Sequence, residues 1–504
     1  MLVATACLAA ACQSHDSVVT DPNAFAVSNE LVTLNPSGYA PLAATIHVET
    51  PVPATVRLRV LGKHGSASDV VKAITTANTV HNIPVLGLYP DFANTVEVTF
   101  ATPQGAELGK KTYTVRTAAL PLTTYPLITI DTRRDSVMAD GMTLVSYFGS
   151  RDGSLPMRPF IFDRFGDIRW CLDYSSSAVL NRLFYDDGVE RLQNGNFYFG
   201  DISSNAIYEV DMFGAVVNTW ALPGYKFHHQ VLEKPNGNLL VTATSLSAST
   251  EEDFIIEIDR TTRQIVRTWD LRMSLQIGRR TLTANVADWL HVNAIAWDPS
   301  DNSIIVSGRT QALVKLDQDN HVVWIMGAHR GWGTAGDGTD LRSVLLQPFD
   351  RSGVAITDPA VLDGSANHPD FEWNWYQHAP KVMPNGHILL FDNGDNRNFS
   401  ASPRYSRAVE FAIDSRARTV RQVWTYGKSR GTETYSRIVS DVDLIAGGTH
   451  VVVTPGAISN GTESGKVIEL DYATQQVLFE ATLVPPISFF TITMHRTERL
   501  SLYP

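Results

Sequence analysis

The sequence predicts an all-β protein, a six-bladed β-propeller preceded by a small N-terminal β-sandwich. Two observations carry this prediction. After residue 126, a pair of short strands that ends in an aromatic residue recurs six times, with a spacing near 50 residues. Residues 20–120 lack this repeat and contain short alternating runs separated by turn residues. Four short strands per repeat at that period are typical of propeller blades.

Composition and charge narrow the functional classes. The chain has 504 residues, of which 44% are hydrophobic and 18% charged, so it can bury a large core. Its formal net charge of -11 argues against nucleic acid as a partner, because phosphate binding requires clustered Lys and Arg. The charge places no limit on a small-molecule substrate.

Residues 1–19 are interpreted as an export leader. MLVATACLAAAC is a short apolar run, well below the roughly 20 residues of a membrane-spanning helix, although no Lys or Arg precedes it. The run ends in Ala-Ala-Ala-Cys and resembles a bacterial lipobox, in which Cys12 would be lipidated and attach the protein to a membrane. Cleavage without lipidation is the alternative. In either case we expect an exported, periplasmic protein.

The segment 20–120 predicts the β-sandwich domain. Its runs LVTLNP, AATIHVET, TVRLRVLG, NTVEVTF and KKTYTVRT alternate apolar and polar residues, as half-buried antiparallel strands do. The proline-containing stretch TAALPLTTYP at 117–126 marks the linker. We therefore assign 121–504 to the propeller.

The propeller prediction depends on six aromatic positions. The copies are FIFDRFGDIRW, IYEVDMFGAVVNTW, IIEIDRTTRQIVRTW, LVKLDQDNHVVW, VEFAIDSRARTVRQVW and VIELDYATQQVLF, and their last residues are Trp170, Trp220, Trp269, Trp324, Trp424 and Phe479. These positions lie 50, 49, 55, 100 and 55 residues apart. The interval of 100 residues is interpreted as one blade's inner strands plus an irregular insertion, about Gly327–Asp370.

Three histidines occupy one position of the repeat. His378 lies eight residues before Gly386 of a Pro-Asn-Gly turn, and His229 lies eight residues before Gly237 of another. His291 begins the same pattern with a longer turn. Since the first strand of each blade lines the central channel, these side chains are expected to converge at one end of it.

This set of residues allows two kinds of site. Three histidines can hold a metal ion with an open coordination position, but the sequence shows no evident fourth ligand and does not require a metal. The alternative is an anion site. Arg309 ends the strand after His291, and a guanidinium binds sulfate or phosphate oxygens through paired donors. A histidine can then act as nucleophile or as acid and base. No nucleotide-binding glycine loop is present.

Several motifs together resemble the bacterial arylsulfate sulfotransferases, exported six-bladed propellers with an N-terminal β-sandwich. The resemblance spans nearly the whole mature chain. It is strongest in DWLHVNAIAWD (288–298), SIIVSGRTQALVKLD (303–317), WNWYQHAP (373–380), LLFDNGDNR (389–397), YSRAVEF (405–411) and VRQVWTYGKSRGTETYS (420–436). It implies transfer of a sulfuryl group from a phenolic sulfate ester to another phenol, in a ping-pong cycle through a sulfohistidine and without a cofactor.

The resemblance assigns roles residue by residue. It makes His378 the nucleophile, His291 an acid/base or sulfuryl-contacting residue and Arg309 the clamp on the sulfuryl oxygens. His229 supplies the third histidine. It is preferred to its neighbour His228 because only His229 has the same offset from its turn as His378 has. The predicted substrate contacts are Asn293, Trp373, Trp375 and Tyr376, the three aromatic residues as stacking partners of the arene with core packing as the alternative.

Other outcomes stay open at the level of sequence. Some members of this family need a disulfide near the active site. Because only Cys171 follows Cys12, that dependence is expected to be absent. A hydrolase that releases sulfate and a non-catalytic propeller that binds a ligand or protein are the two rival functions. The natural donor and acceptor stay open, as does the oligomeric state, for which a homodimer is one option.

Overall fold

The computed structural model describes residues 25–121, 123–148, 158–181, 188–201, 205–460, 462–486 and 492–503. The leader assigned to residues 1–19, including Cys12, lies outside the described residues. In the described part of the chain, no helix is both long and apolar enough to cross a membrane. The division at residues 20 and 121 stays a prediction.

The N-terminal region is one antiparallel sheet in the order β1-β2-β4-β5, with β3 on the other side of β2. The strand β2 turns near Pro51 and Pro53, where its register with β3 shifts, and its inward residues such as Ile46 and Leu58 are fully buried. The strands are β1 (Ser28–Leu34), β2 (Ala44–Val60), β3 (Val70–Val85), β4 (Ala93–Ala101) and β5 (Glu107–Arg116).

The described residues beyond 126 form six sheets, antiparallel except for one strand pair of sheet 5, which we number 1 to 6. The first three are sheet 1, of β31 (Thr493–Leu500), β7 (Met142–Phe148), β8 (Phe160–Phe162) and β9 (Ile168–Cys171); sheet 2, of β10 (Phe197–Asp201), β11 (Ala206–Val210) and β12 (Val216–Ala221); and sheet 3, of β13 (Tyr225–Glu233), β14 (Leu239–Ser245), β15 (Phe254–Ile258) and β16 (Ile265–Asp270).

The other three sheets follow in chain order. They are sheet 4, of β17 (Val292–Asp298), β18 (Ser303–Gly308), β19 (Ala312–Leu316) and β20 (Val322–Met326); sheet 5, of β22 (His378–Val382), β23 (Ile388–Asp392), β24 (Arg407–Asp414), β25 (Thr419–Tyr426) and β21 (Gln347–Phe349); and sheet 6, of β26 (Asp441–Ile445), β27 (His450–Thr454), β29 (Thr462–Asp471), β30 (Val477–Val484), β6 (Leu127–Arg133) and the short β28 (Ile458–Asn460).

Helical segments are short and lie between strands. The two α-helices are α1 (Leu271–Ser274) and α2 (Pro359–Leu362), and the 3-10 turns are Ser66–Ser68, Leu341–Val344, Arg397–Phe399, Lys428–Glu433 and Ala446–Gly448. The insertion after residue 326 holds α2 and one of these turns, and its strand β21 pairs in parallel with β25 at the outer edge of sheet 5.

The six sheets are arranged as in a β-propeller. Their innermost strands contact one another in the order β10, β13, β17, β22, β26 and β31. The ring closes between β31 and the segment before β10, where the backbone N–H of Arg191 donates to the Glu498 carboxylate over 3.0 Å. The first and last strands of this region both take part in the closure, since β6 pairs with β30 in sheet 6 and β31 pairs with β7 in sheet 1. The all-β propeller prediction is confirmed, while the blade count of six stays a prediction.

The repeated aromatic residues join neighbouring sheets. Trp170 and Trp269, each with no exposed surface, donate their indole N–H groups over 2.7 Å to the carbonyl oxygens of Met212 and Asp317 in the outer turn of the next sheet. Trp220, Trp324 and Trp424 donate to the corresponding turns of the sheets that follow them. A buried indole needs a partner for its N–H, which explains why one residue type recurs at this position.

Candidate active site

A pocket of about 530 Å³ opens at one end of the ring of inner strands. It brings together four residues predicted from the sequence, His229, His291, Arg309 and His378. The other lining residues are Arg437, Ile438, Val439, Ala457, Ser459, Glu463, Ile492, Thr493 and His495. Sheets 1, 3, 4, 5 and 6 all contribute residues or adjoining loops, so the site depends on closure of the whole ring.

Irregular backbone aims the histidines into the pocket. The inner strands β13, β17, β22 and β31 each shift register against their neighbours at or beside a pocket histidine. His229 has φ 57° and His291 has φ 52°, in the left-handed region that non-glycine residues seldom adopt. Such bulges re-aim a side chain out of the alternating pattern of a strand and are frequent next to active sites.

The hydrogen bonds of His378 determine its tautomer. Nδ1 lies 2.7 Å from Oδ1 of Asn393 and 3.1 Å from the carbonyl oxygen of Tyr376. The orientation of the Asn393 amide is set by its own NH2 group, which donates to the carbonyls of Ser436 and Val439. Both neighbours of Nδ1 are therefore acceptors, so Nδ1 carries the proton and Nε2 keeps its lone pair.

His378 is also kept neutral. Its side chain is 5% exposed, and burial together with the positive charge of Arg309 holds its pKa well below the usual range. Loss of hydration disfavours an imidazolium, and a nearby cation disfavours it further. A neutral imidazole with a free Nε2 is the form that can act as a nucleophile.

His291 has the opposite electrostatic setting. Its Nδ1 lies 2.8 Å from Oε2 of Glu252 and 2.9 Å from Oδ2 of Asp288. Burial alone would lower its pKa, but the two carboxylates outweigh that effect and raise the pKa to about 9. In return, His291 and His229 hold the pKa of the buried Glu252 carboxyl well below its usual range. His291 is thus an imidazolium at neutral pH.

Arg309 stands close to these groups without pairing with any described residue. Its backbone N–H donates to the carbonyl of His291 over 3.0 Å, which fixes the start of the side chain at the pocket wall. The guanidinium makes no hydrogen bond or ion pair within 4.0 Å in the described part of the protein, and its Nε is buried. Since Arg stays charged, this is a cation ready for an anion.

His229, and not His228, lies on the pocket wall. Nε2 of His229 is 3.4 Å from Oε2 of Glu252, and its ring centroid is 5.0 Å from that of His291. The His228 side chain is 2% exposed and points into the protein, where burial lowers its pKa to about 4. His229, the residue selected from the turn offset, therefore lines the pocket, and its catalytic role stays a prediction.

Two family models match this chain. One, described as an arylsulfotransferase, matches residues 128–487, and the other, described as an arylsulfotransferase Ig-like domain, matches residues 31–118. The first covers well over half of the protein. The chain belongs to the arylsulfotransferase family. The resemblance inferred from the motifs is confirmed, and family membership supports a sulfotransferase.

Named relatives agree with this membership. The chain is 29% identical to an arylsulfate sulfotransferase of Escherichia coli O6:H1 and 28% identical to one of Lelliottia amnigena, with 89% of both chains covered in each comparison. Among solved structures, a virginiamycin B lyase from Staphylococcus aureus covers 71% of this chain and 99% of its own, at 11% identity and a TM-score of 0.34. At this TM-score the structural likeness is weak.

The other predicted substrate contacts of this arylsulfotransferase lie away from the pocket wall. Trp373 and Trp375 are at most 2% exposed and pack in the hydrophobic core between sheets 4 and 5. The hydroxyl of Tyr376 donates to the carbonyl of Leu282 over 2.6 Å. The backbone carbonyl of Tyr376 contacts the His378 ring, but none of the three aromatic side chains is among the described residues that line the pocket. This placement favours packing over the predicted arene stacking.

Asn293 has a supporting position. Its NH2 group donates to the carbonyl of Gln377 over 2.8 Å, next to His378, and its Oδ1 is buried without a hydrogen-bond partner among the described residues. Asn293 thus ties sheet 4 to the start of β22. The structure places it behind the pocket surface, so its predicted contact with substrate gains no support.

Five residues that shape the site were not predicted from the sequence. Glu252 and Asp288 lie in loops, and their contact with His291 depends on the backbone there. Asn393 meets His378 across a strand pair, a contact that the paired register of β22 and β23 makes possible. Arg437 and His495 line the pocket from sheets 6 and 1. His495 could have been expected from the sequence, because the C-terminal strand that closes the ring is itself an inner strand and can therefore contribute a residue to the pocket.

Two groups of side chains have the composition of cation sites. Ligand atoms of His228, His229 and Glu252 lie within 4.8 Å of one another, and so do those of Glu252, Asp288 and His291. The two groups share Glu252, whose Oε2 lies in ion-pairing distance of both His229 and His291. The imidazolium charge of His291 therefore already occupies the position that a cation would take.

Proposed function

We propose that this arylsulfotransferase moves a sulfuryl group from a phenolic sulfate ester to a phenol by a ping-pong mechanism, with a sulfohistidine formed on His378. The observation that carries the proposal is the Nδ1 hydrogen bond to Asn393, which leaves Nε2 of a buried neutral histidine free. It stands beside an unpaired Arg309. His291, by contrast, is held as an imidazolium by Glu252 and Asp288.

The first half-reaction begins with attack of Nε2 on sulfur. The N–S bond forms while the S–O bond to the arene breaks, and the bonding electron pair leaves on the phenolate oxygen. The ring of His378 becomes positively charged, because Nδ1 keeps its proton. Oδ1 of Asn393 accepts a hydrogen bond from that proton and stabilises the developing charge.

His291 supplies the proton for the leaving phenolate. Its Nδ1 faces two carboxylates, so the proton that it gives up is the one on Nε2. Its pKa of about 9 lies close to that of a phenol, about 10, and matched values suit an acid that must also act in reverse as a base. In the second half-reaction, His291 accepts the proton of the incoming phenol.

Arg309 is assigned to the sulfuryl oxygens. Their negative charge is shared among three oxygens in the transition state, and a planar guanidinium with no competing carboxylate partner can bind two of them at once. Removing a comparable charge-stabilising donor in enzymes costs about 10²–10³ in rate. His229 and His495 border the same space and complete the polar end of the pocket.

Apolar residues form the rest of the pocket wall. Val439 and Ile492 are 4% and 1% exposed, and they line the pocket with Ile438 and Ala457. An arene buried against such a wall is removed from water, which favours its binding. These residues, in place of the predicted tryptophans, are the proposed contacts of the aromatic ring.

Intact-mass analysis tests the proposal. Purified protein is mixed with 4-nitrophenyl sulfate without an acceptor, beside His378→Ala. A stoichiometric adduct of the sulfuryl mass, absent from the variant and discharged by added phenol, is expected. Steady sulfate release without any acceptor would indicate the rival hydrolase. No adduct and no 4-nitrophenol release would favour the binding propeller.

We also propose that the protein is exported to the periplasm, with attachment to a membrane through lipidated Cys12. The apolar run and the Ala-Ala-Ala-Cys sequence at residues 9–12 support this. Fractionation of cells that express the wild type and Cys12→Ser checks it. The wild type is expected in the membrane fraction and the variant in the soluble periplasmic fraction, whereas identical fractionation would contradict lipidation.

A further inference from the structure

The pocket changes from buried to exposed along its depth. His378 at the inner end is 5% exposed, whereas the side chain of Arg437 is 57% exposed. Both line the same cavity. Arg437 therefore marks the exposed end of the pocket, and it is the exposed member of the three cationic residues on the described wall.

The charges at the inner end cancel. Arg309 and the imidazolium of His291 are positive, and the Glu252 and Asp288 carboxylates beside His291 are negative. An aryl sulfate ester carries one negative charge. The two carboxylates face His291, so Arg309 is the inner cation left for the sulfuryl oxygens, and Arg437 is the second guanidinium on the described wall.

Arg437 is held at the outer end by a weak ion pair. Its guanidinium lies 3.7 Å from Oδ2 of Asp395, and Oδ1 of Asp395 accepts a hydrogen bond from the Tyr435 hydroxyl over 3.0 Å. The other charged residue on this part of the wall is Glu463. Without Arg437, the carboxylate of Asp395 would lose this cation and would repel an incoming anion.

We propose that Arg437 is the residue that recognises the negative charge of the donor at the outer end of the pocket. This inference rests on the proposed function. The protein carries a net charge of -11, which repels an anion at long range, and a local exposed cation offsets that repulsion at the entrance. A neutral phenol acceptor has no charge for Arg437 to recognise.

In a ping-pong cycle, kcat/KM for the donor and kcat/KM for the acceptor report on different half-reactions and can be measured separately. For Arg437→Ala, kcat/KM for 4-nitrophenyl sulfate is expected to fall about tenfold, the effect of losing one charge-assisted contact. Its dependence on ionic strength should become shallower. For phenol as acceptor, kcat/KM is expected to stay unchanged, and with 4-hydroxybenzoate it should fall. Arg437→Lys should restore most of the donor value.

Arg416→Ala is the matched control, because Arg416 is an exposed arginine in the outer turn between β24 and β25. It should leave both values unchanged. An equal fall for donor and phenol in Arg437→Ala, or no fall for the donor, overturns the proposal.

Binding of inorganic sulfate, measured calorimetrically, needs no chemistry. A roughly tenfold weaker affinity in Arg437→Ala supports anion recognition. This holds even if the wild type forms no adduct, because the missing adduct would contradict only the transfer reaction. Equal sulfate affinity in wild type and variant contradicts the role of Arg437.

Discussion

Two sets of arginines in the same ring show how a buried charge can serve either folding or chemistry. In sheet 5, Arg407 has no exposed side-chain surface, and its Nε donates to Asp392 over 2.8 Å. Its other donors reach Gln422 and the carbonyl of Glu372. Arg397 binds the same Asp392 from the adjoining loop. Arg309, in sheet 4, has none of these partners.

The difference lies in the ion pairs of the guanidinium groups. Arg407 and Arg397 both bind Asp392 and hold the loop 392–397 against β24. Among the described residues, Arg309 has no such carboxylate partner and therefore no such structural role. A charge without an ion pair costs folding free energy that a bound anion can recover, so the missing carboxylate partner is what distinguishes Arg309.

The largest expected effect is on stability at the satisfied arginine. Arg407→Ala leaves Asp392 buried beside a single remaining cation, and such a loss costs about 3–5 kcal/mol of unfolding free energy. Chemical denaturation measures it, with Arg416→Ala as the control. A loss of unfolding free energy below about 1 kcal/mol would contradict the structural role of Arg407, because the residue would then behave like one at the surface.

Arg309→Ala should reverse this pattern. The rate of sulfuryl adduct formation is expected to fall about 10²–10³-fold, because the sulfuryl oxygens lose their cation. The unfolding free energy should stay equal or rise, since a half-buried charge without an ion-pair partner among the described residues is removed. Rapid-quench mass analysis and denaturation check the two parts. Strong destabilisation with unchanged adduct formation would contradict the assignment.

The pH dependence sharpens the contrast between the two histidines. The raised pKa of His291, about 9, keeps its acid form through neutral pH, so kcat/KM for the donor should fall about tenfold per unit above pH 9. The lowered pKa of His378 predicts no fall until pH is well below 6.5. The His291 ion pair likewise stabilises the fold fully below about pH 6.5 and loses that contribution as pH rises through about 9.

Glu252→Gln provides the matching variant. Without this carboxylate, the pKa of His291 should move down towards its usual value, so the high-pH decline in donor kcat/KM should begin at lower pH than in the wild type. The measurement is the pH profile of both proteins between pH 6 and pH 10. Superimposable profiles would show that another group supplies the proton.

The smallest effect concerns the aromatic residues. Trp373→Phe removes the indole hydrogen bond of 2.8 Å to the carbonyl of Val361 and leaves a small cavity, which should cost about 1–2 kcal/mol of unfolding free energy. KM for the aryl donor should stay unchanged, because Trp373 is away from the pocket. A KM that rises several-fold would restore the predicted stacking role.

The sequence predicted the ring and its inner positions because both follow from a repeat. The aromatic positions bind neighbouring sheets, and the offset from a Pro-Asn-Gly turn selected His229, which lines the pocket. The sequence could not predict contacts that depend on loop conformation. Glu252 itself has φ 53°, and its approach to His291 follows from tertiary structure. The sequence also could not predict that Trp375, which lies three residues before His378, packs in the core between sheets 4 and 5.

The central claim is that the tautomer of His378 selects its reactive nitrogen. The most direct test is nitrogen-15 NMR of protein labelled at histidine, denatured at alkaline pH after reaction with 4-nitrophenyl sulfate and no acceptor. We predict one sulfuryl group per chain, bound to Nε2 of His378. A sulfuryl group on Nδ1, or on His229 or His291, would contradict the account, because the bond from Nδ1 to Asn393 would then not direct the chemistry.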